Sequence, residues 1–257
     1  RKRGEVVGIN GVRRNLMNYY ERVLRVVKNT HLDEILNLIP NDNKEIYFIG
    51  GISRAIILDG CYSKDVDIVV PDFDENLVES LSKKFEINYF PSYKSIAIKT
   101  EEFEYQINSF RKDIHSTGRH SKVASTQSLK EDSERRDFTF NCIYINLLGE
   151  AVDFYGGIDD LHNYYLRFIF DPIDQIQQDY LRAIRYIRFL SLFKETKTNQ
   201  HDVDNLILLS KNITEFVKTK KITQEFNKIH KMPYPKNTLN FLKLHKELNI
   251  FLDYIKL

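Results

Sequence analysis

Between residue 41 and about residue 155 the chain alternates between two hydrophobic periods, and few folds satisfy both. Short runs rich in β-branched and aromatic residues fall at 46–49, 66–70, 86–90, 95–99, 104–110, 140–147 and 151–154. Helix-like stretches at 52–59 and 74–84 lie between the first of them. Strands interleaved with helices predict an α+β domain built on a mixed sheet. From about residue 173 the period becomes helical, with Tyr180, Ile184, Ile187 and Leu190 on one face. Further helices are predicted at 203–218 and 237–256, punctuated by Pro233 and Pro235. Residues 13–38 also show helical spacing, through Leu16, Tyr19, Tyr20, Val23, Leu24 and Val27. Residues 114–125 are polar, carry Gly118 and two histidines, and show no period, which predicts a mobile loop. The expected layout is a basic helical extension over 1–40, a sheet domain over 41–160 and a small all-α domain over 161–257.

Charge is uneven along this layout. The net charge of +2 hides roughly +6 over residues 1–30, roughly +4 over 195–257 and about −8 between them. Basic ends around an acidic centre suit a polyanion gripped outside and metal-bound phosphates inside; a solvated surface accounts for charge alone equally well. Cys61 and Cys142 have no metal-ligand spacing and no disulfide framework, which favours a reducing compartment. No apolar run approaches membrane-spanning length. A cytoplasmic location is expected. An organelle stays open, since the chain begins at Arg1 and not at Met.

The chemistry concentrates first at Lys64-Asp65-Val66-Asp67-Ile68-Val69-Val70, which follows the Gly50-Gly51 turn and a helix-like stretch. On a strand, residues two apart share a face, so the Asp65 and Asp67 carboxylates lie close together. Like charges there repel unless a cation separates them, and clustered hard oxygens suit Mg²⁺. A pair of such ions serves in-line attack on phosphate. Alone, Asp-x-Asp is more often a solvated strand end.

Three further signals follow in order. Phe110-Arg111-Lys112-Asp113 leads through Gly118-Arg119-His120 to Glu131-Asp132-Ser133-Glu134-Arg135-Arg136-Asp137-Phe138-Thr139-Phe140-Asn141. Asp153-Phe154-Tyr155-Gly156-Gly157 comes next, and Asp179-Tyr180-Leu181-Arg182-Ala183-Ile184-Arg185 last. This series resembles the class II tRNA nucleotidyltransferase and bacterial poly(A) polymerase family, of the polymerase-β-like nucleotidyltransferase superfamily, over residues 45–193.

The resemblance implies a nucleotidyltransferase head over 41–160, followed by a helical neck and body. It implies template-independent addition of CCA to tRNA from CTP and ATP, with two Mg²⁺ ions held by Asp65 and Asp67. Gly50 and Gly51 would admit the triphosphate to backbone amides, with Arg54 and Asn141 beside them. Arg136 and Asp137 would hold the sugar and phosphates. Asp179 and Arg182, one helical turn apart, would read the base edge, and Arg185 would extend that face. Lys218, Lys220, Lys221, Lys228 and Lys231 are candidates for RNA backbone contacts. The loop over 111–123 resembles the one that helps switch from C to A addition. A-tail synthesis, an RNA-binding role with weak catalysis, and transfer to protein or a small molecule are the alternatives.

Three positions depart from the family pattern. Ser53-Arg54-Ala55 lacks the usual acidic residue after Arg54. Gln106 stands where a third carboxylate is common, with Glu104 two residues earlier as the candidate replacement. Gln178 stands where Glu usually precedes Asp179; its amide can orient Arg182 without charge assistance. The metal aspartates and Arg135-Arg136-Asp137 are intact, which favours an active enzyme.

Overall fold

The computed structural model describes residues 6–7, 13–14, 18–28, 31–40, 45–60, 64–117 and 120–255. In chain order the first elements are β1 (Val6–Val7), β2 (Arg13–Arg14), α1 (Tyr20–Lys28) and α2 (Leu32–Leu36). Then come β3 (Tyr47–Ile49), α3 (Gly50–Leu58), β4 (Asp65–Val70), α4 (Glu75–Ser82), β5 (Ile87–Phe90), β6 (Ser95–Lys99) and β7 (Glu104–Ser109). β8 (Arg111–Thr117) and β9 (His120–Ser125) precede α5 (Leu129–Glu134), β10 (Ile143–Asn146), β11 (Ala151–Asp153) and α6 (Gly157–His162). The remainder is β12 (Tyr165–Leu166), α7 (Pro172–Gln178), α8 (Leu181–Phe189), β13 (Lys197–Thr198), α9 (Gln200–Leu208), α10 (Ser210–Phe216), α11 (Thr219–Asn227) and α12 (Pro235–Leu244). A 3₁₀ stretch, Lys246–Tyr254, follows.

The expected α+β architecture is present. A nine-stranded mixed sheet runs in the order β1-β2-β11-β10-β3-β4-β7-β6-β5. β4 and β7 are parallel neighbours, whereas β3 pairs antiparallel with β4, and β6 with β7. Contacts divide the chain into two compact units. The first comprises Arg1–Asp113, Val123–Arg136 and Phe140–Ile158; the second comprises Ile114–Lys122, Asp137–Thr139 and Asp159–Leu257.

In the first unit, alternation along β4 separates two faces. Val66, Ile68 and Val70 are buried, with Phe48, Ile96, Ile98, Tyr105 and Ile107 on neighbouring strands. α3 packs on β3, β4 and β10 through Ile52, Ile56 and Ile57. The opposite face carries exposed Asp65, half-buried Asp67 and buried Val69. Val69 joins an apolar cluster with Ile49, Phe110 and Tyr144, flanked by Tyr47, Leu129 and Val152.

Two expectations are corrected here. The helix expected over 13–38 starts only at Tyr20, because the Asn18 side chain accepts the Tyr20 amide at 2.8 Å and caps it. Arg13–Arg14 is instead a strand paired to β11, so within residues 1–40, expected as a helical extension, Val6–Val7 and Arg13–Arg14 add strands to the sheet ahead of α1 and α2. Gly149 (φ +77°) receives the helix start: Tyr19 donates to its carbonyl at 2.9 Å, and a Cβ there would collide with the Tyr20 backbone. The polar loop expected over 114–125 lies in a two-stranded sheet, β8-β9. The segment is polar in sequence, so its strands carry no alternating apolar pattern to register as a period.

The second unit is helical, with α8 packed against α7, α10, α11 and α12. Ile184, Ile187, Phe226 and Phe251 are wholly buried. Phe138 packs on Phe168, Tyr186 and Phe189, with centroids 5.1, 5.9 and 5.4 Å apart. The helix expected over 203–218 divides at Leu209 into α9 and α10. That expected over 237–256 divides at extended His245.

Candidate active site

β4 brings the aspartates to the glycine turn. Gly50 ends β3 and opens α3 with φ +64°, and a Cβ there would lie 3.3 Å from Asp67 Oδ2. Glycine therefore serves both the left-handed backbone and the space around a carboxylate. Across the parallel pairing, Asp65 lies opposite Glu104 and Asp67 opposite Gln106. Paired and i+2 residues share a face, so Glu104 stands beside Asp65 on the aspartate face. Glu104 lies 3.3 Å from Lys99 Nζ, and Gln106 donates to Ser95 Oγ at 3.3 Å. Among the described residues no three carboxylate, histidine or cysteine side chains converge on one point. Mg²⁺ is commonly held by one or two carboxylates with substrate phosphates supplying further oxygens, so the Asp65 and Asp67 donor set fits it.

Arg54, on α3, donates to Asn141 Oδ1, and its guanidinium lies 5.6 Å from the Phe140 ring centroid. Arg136 is held by two groups absent from the predicted site. Its Nη2 donates to Asp132 Oδ2 and its Nε to Tyr144 Oη, both at 2.7 Å. Burial opposes the charge on Asp132, but Arg136 and Arg135 outweigh it and hold the carboxyl below its usual range. Burial likewise opposes the Arg136 charge, and Asp132 outweighs it and raises that group well above its ordinary value. Arg111, nearby, is lowered to about 10 by burial and by Arg135. Two guanidiniums thus bind one carboxylate, and that of Arg111, held by the Tyr93 carbonyl at 2.9 Å, adds its field to theirs, an excess of positive charge suited to phosphate. The available signal for Asp132 was its spacing: on α5 an acid three and four residues before Arg135 and Arg136 reaches both.

In the second unit, Asp137 Oδ2 pairs with Arg185 Nη2 at 2.8 Å, so two predicted nucleotide ligands hold each other. Asp179 corrects the expectation of one shared helical turn. It lies at the break between α7 and α8 with extended backbone (φ −151°, ψ 103°), and its carboxylate accepts the Leu181 amide at 3.0 Å. The chain turns back at once, and the Arg182 amide donates to Asp179 O at 2.9 Å. Arg182 is buried, and its Nη1 donates to Gln178 Oε1 at 3.2 Å and to Gln175 Oε1. The Gln178 amide thus does orient Arg182. Lys218, Lys220, Lys221, Lys228 and Lys231 are exposed. Lys228 is tied by Glu225, 2.6 Å away, which also pairs with Arg188 at 2.9 Å.

A mixed sheet with paired aspartates on the strand after a Gly-Gly helix start defines a polymerase-β-like nucleotidyltransferase head. Residues 46–167 match the family described as "Poly A polymerase head domain". The CCA-adding enzyme of Lactobacillus helveticus is 32% identical over 200 residues, covering 76% of this chain and 48% of that protein. Human "CCA tRNA nucleotidyltransferase 1, mitochondrial" is 29% identical over 184 residues, covering 70% and 42%. The Bacillus stearothermophilus CCA-adding enzyme in complex with CTP has the same fold, with a TM-score of 0.67 at 22% identity, over 88% of this chain and 52% of that one. Over residues 46–167 the chain belongs to the poly(A) polymerase head-domain family, and across most of its length it is similar to CCA-adding enzymes. It spans about half the length of the curated relatives it matches. No helix among the described residues is long and apolar enough to cross a membrane.

Proposed function

We propose that this chain adds nucleotides to an RNA 3′ end without a template, completing CCA on tRNA from CTP and ATP. The observation that carries the reading is the Asp65 and Asp67 pair, on one strand face against the side-chain-free Gly50. Asp65 and Asp67 would hold Mg²⁺, with Glu104 beside Asp65 as the third carboxylate. When bound, the ions supply charge stabilisation at the attacking 3′ hydroxyl and the leaving pyrophosphate. Gly50 and Gly51 leave the α3 amides open to phosphate. Arg54, Arg136, Asp137, Asn141 and Arg185 bind the sugar and triphosphate. Asp179 and Arg182 present a fixed acceptor and donor pattern to the base, which selects C and A over U and G.

In this reading 41–160 is the nucleotidyltransferase head, 161–257 the neck and body, and 1–40 an N-terminal extension. The lysines at 218, 220, 221 and 228 lie along the RNA backbone. The names of the relatives support tRNA as the acceptor, and the mitochondrial relatives keep an organelle open beside the cytoplasm.

The test is incorporation of each labelled triphosphate, with Mg²⁺, into tRNA transcripts ending before CCA, after C and after CC. Addition that stops after CCA is expected. Long A tails, also on RNA other than tRNA, would move the assignment to a poly(A) polymerase. RNA binding without incorporation would overturn the enzymatic reading.

A further inference from the structure

Tyr144 and Asp132 close a ring of hydrogen bonds on one edge of Arg136. Tyr144 Oη accepts from Arg136 Nε at 2.7 Å and donates to Asp132 Oδ2 at 2.8 Å. Asp132 Oδ2 also accepts from Arg136 Nη2 at 2.7 Å. Both holding side chains are 0% exposed, so little water competes for these bonds. Asp132 Oδ1 accepts from the Arg135 guanidinium at 3.0 Å and the Arg111 amide at 3.3 Å. All four acceptor positions of the carboxylate are thereby used.

A guanidinium has five N–H groups. Two of those on Arg136 are spent on the ring, and the other three have no partner among the described residues. The Tyr144 ring adds a second restraint, its centroid 5.2 Å from Arg136 Cζ, and Tyr47 braces it edge-on at 6.1 Å. An arginine locked along one edge presents the other as a rigid fork, the shape that grips phosphate oxygens two at a time.

We propose that Asp132 and Tyr144 are positioning residues that aim Arg136 at the phosphates of the incoming nucleoside triphosphate, so that Tyr144 sets the affinity of this chain for that substrate. The inference rests on the nucleotidyltransferase reading above. Because the restraint acts on phosphates and not on the base, it affects CTP and ATP alike.

Tyr144→Phe in the full chain removes one oxygen and keeps the ring. Calorimetric titration with CTP and with ATP gives the equilibrium affinity, and steady-state incorporation separates KM from kcat. Both dissociation constants and both KM values are expected to rise about tenfold, the scale of one lost hydrogen bond to a charged group. RNA affinity should stay near that of the original protein, and the melting temperature should fall by only a few degrees, the scale of one buried hydrogen bond. Asp132→Asn should shift nucleotide affinity in the same direction and further. Unchanged nucleotide affinity with a lowered melting temperature would assign both residues to structure only and overturn the proposal. So would a loss confined to one of the two nucleotides. If the original protein binds triphosphate but incorporates none, the enzymatic reading falls, and the binding comparison still decides the role of Tyr144.

Discussion

Gly50 and Asp67 share one tight space: a methyl group on the first would sit 3.3 Å from Oδ2 of the second. The two residues are far apart in sequence and meet because β3 and β4 are antiparallel, with Ile49 opposite Asp67. Gly50→Ala combines backbone strain at φ +64°, on the order of 1–2 kcal/mol, with a push on the carboxylate. Incorporation is expected to fall by about tenfold or more, and the melting temperature by a few degrees. Full activity in the variant would show that the Asp67 carboxylate position does not matter to the reaction.

Asp65 is exposed, so Asp65→Ala should leave the melting temperature nearly unchanged. Incorporation should nevertheless drop by about a hundredfold or more, and Asp67→Ala should do the same. Glu104→Gln tests whether Glu104, opposite Asp65 across the β4-β7 pairing, serves as the third carboxylate. A large loss assigns that role to Glu104, whereas an unaltered rate leaves its side chain to Lys99.

Arg182 is held by Gln178 and Gln175. Arg182→Ala should raise use of UTP and GTP relative to CTP and ATP by about tenfold, with RNA affinity changed less. The comparison needs single-nucleotide incorporation with all four triphosphates. An unaltered preference for C and A would remove Arg182 from base reading. Gln178→Glu should strengthen the hold on Arg182 by charge assistance and leave the preference at least as strict.

Asp202 gives a pH signature in the helical unit. Burial pushes its carboxyl up to about 6, against the opposing bond from the Phe168 amide at 3.3 Å. The folded value lies above the unfolded one, so the folded state binds more protons between about pH 4 and 6. Stability therefore falls as pH rises through that window, by up to roughly 3 kcal/mol. Asp202→Asn keeps the acceptor and removes the charge. Its melting temperature should exceed that of the original protein at pH 7.5, and the difference should shrink towards pH 4. An equal difference at both pH values would rule out ionisation as the cause.

Much of the head was legible in the residues because burial leaves a period. The runs at 46–49, 66–70, 95–99 and 104–110 became β3, β4, β6 and β7, of which β4 carries Asp65 and Asp67 and β3 and β7 flank it. The β8-β9 sheet was missed because exposed Ile114 and its polar neighbours leave no such trace. Asp179 was misread for a related reason. Helical spacing continues on both sides of it, and the break is visible only in its backbone angles and its cap on Leu181.

Residue type and spacing by themselves determined the order of strands and helices from β3 to β7, the face shared by Asp65 and Asp67, and the family to which the motifs point. These are local properties, set by which side chains must leave water and by the repeat of the backbone. Tertiary structure alone decided who holds whom. Arg136 is clamped by Tyr144 from β10, Arg54 by Asn141 from far along the chain, and Asp137 by Arg185. The partner of a charged group depends on where distant elements cross, and no period along the chain records that.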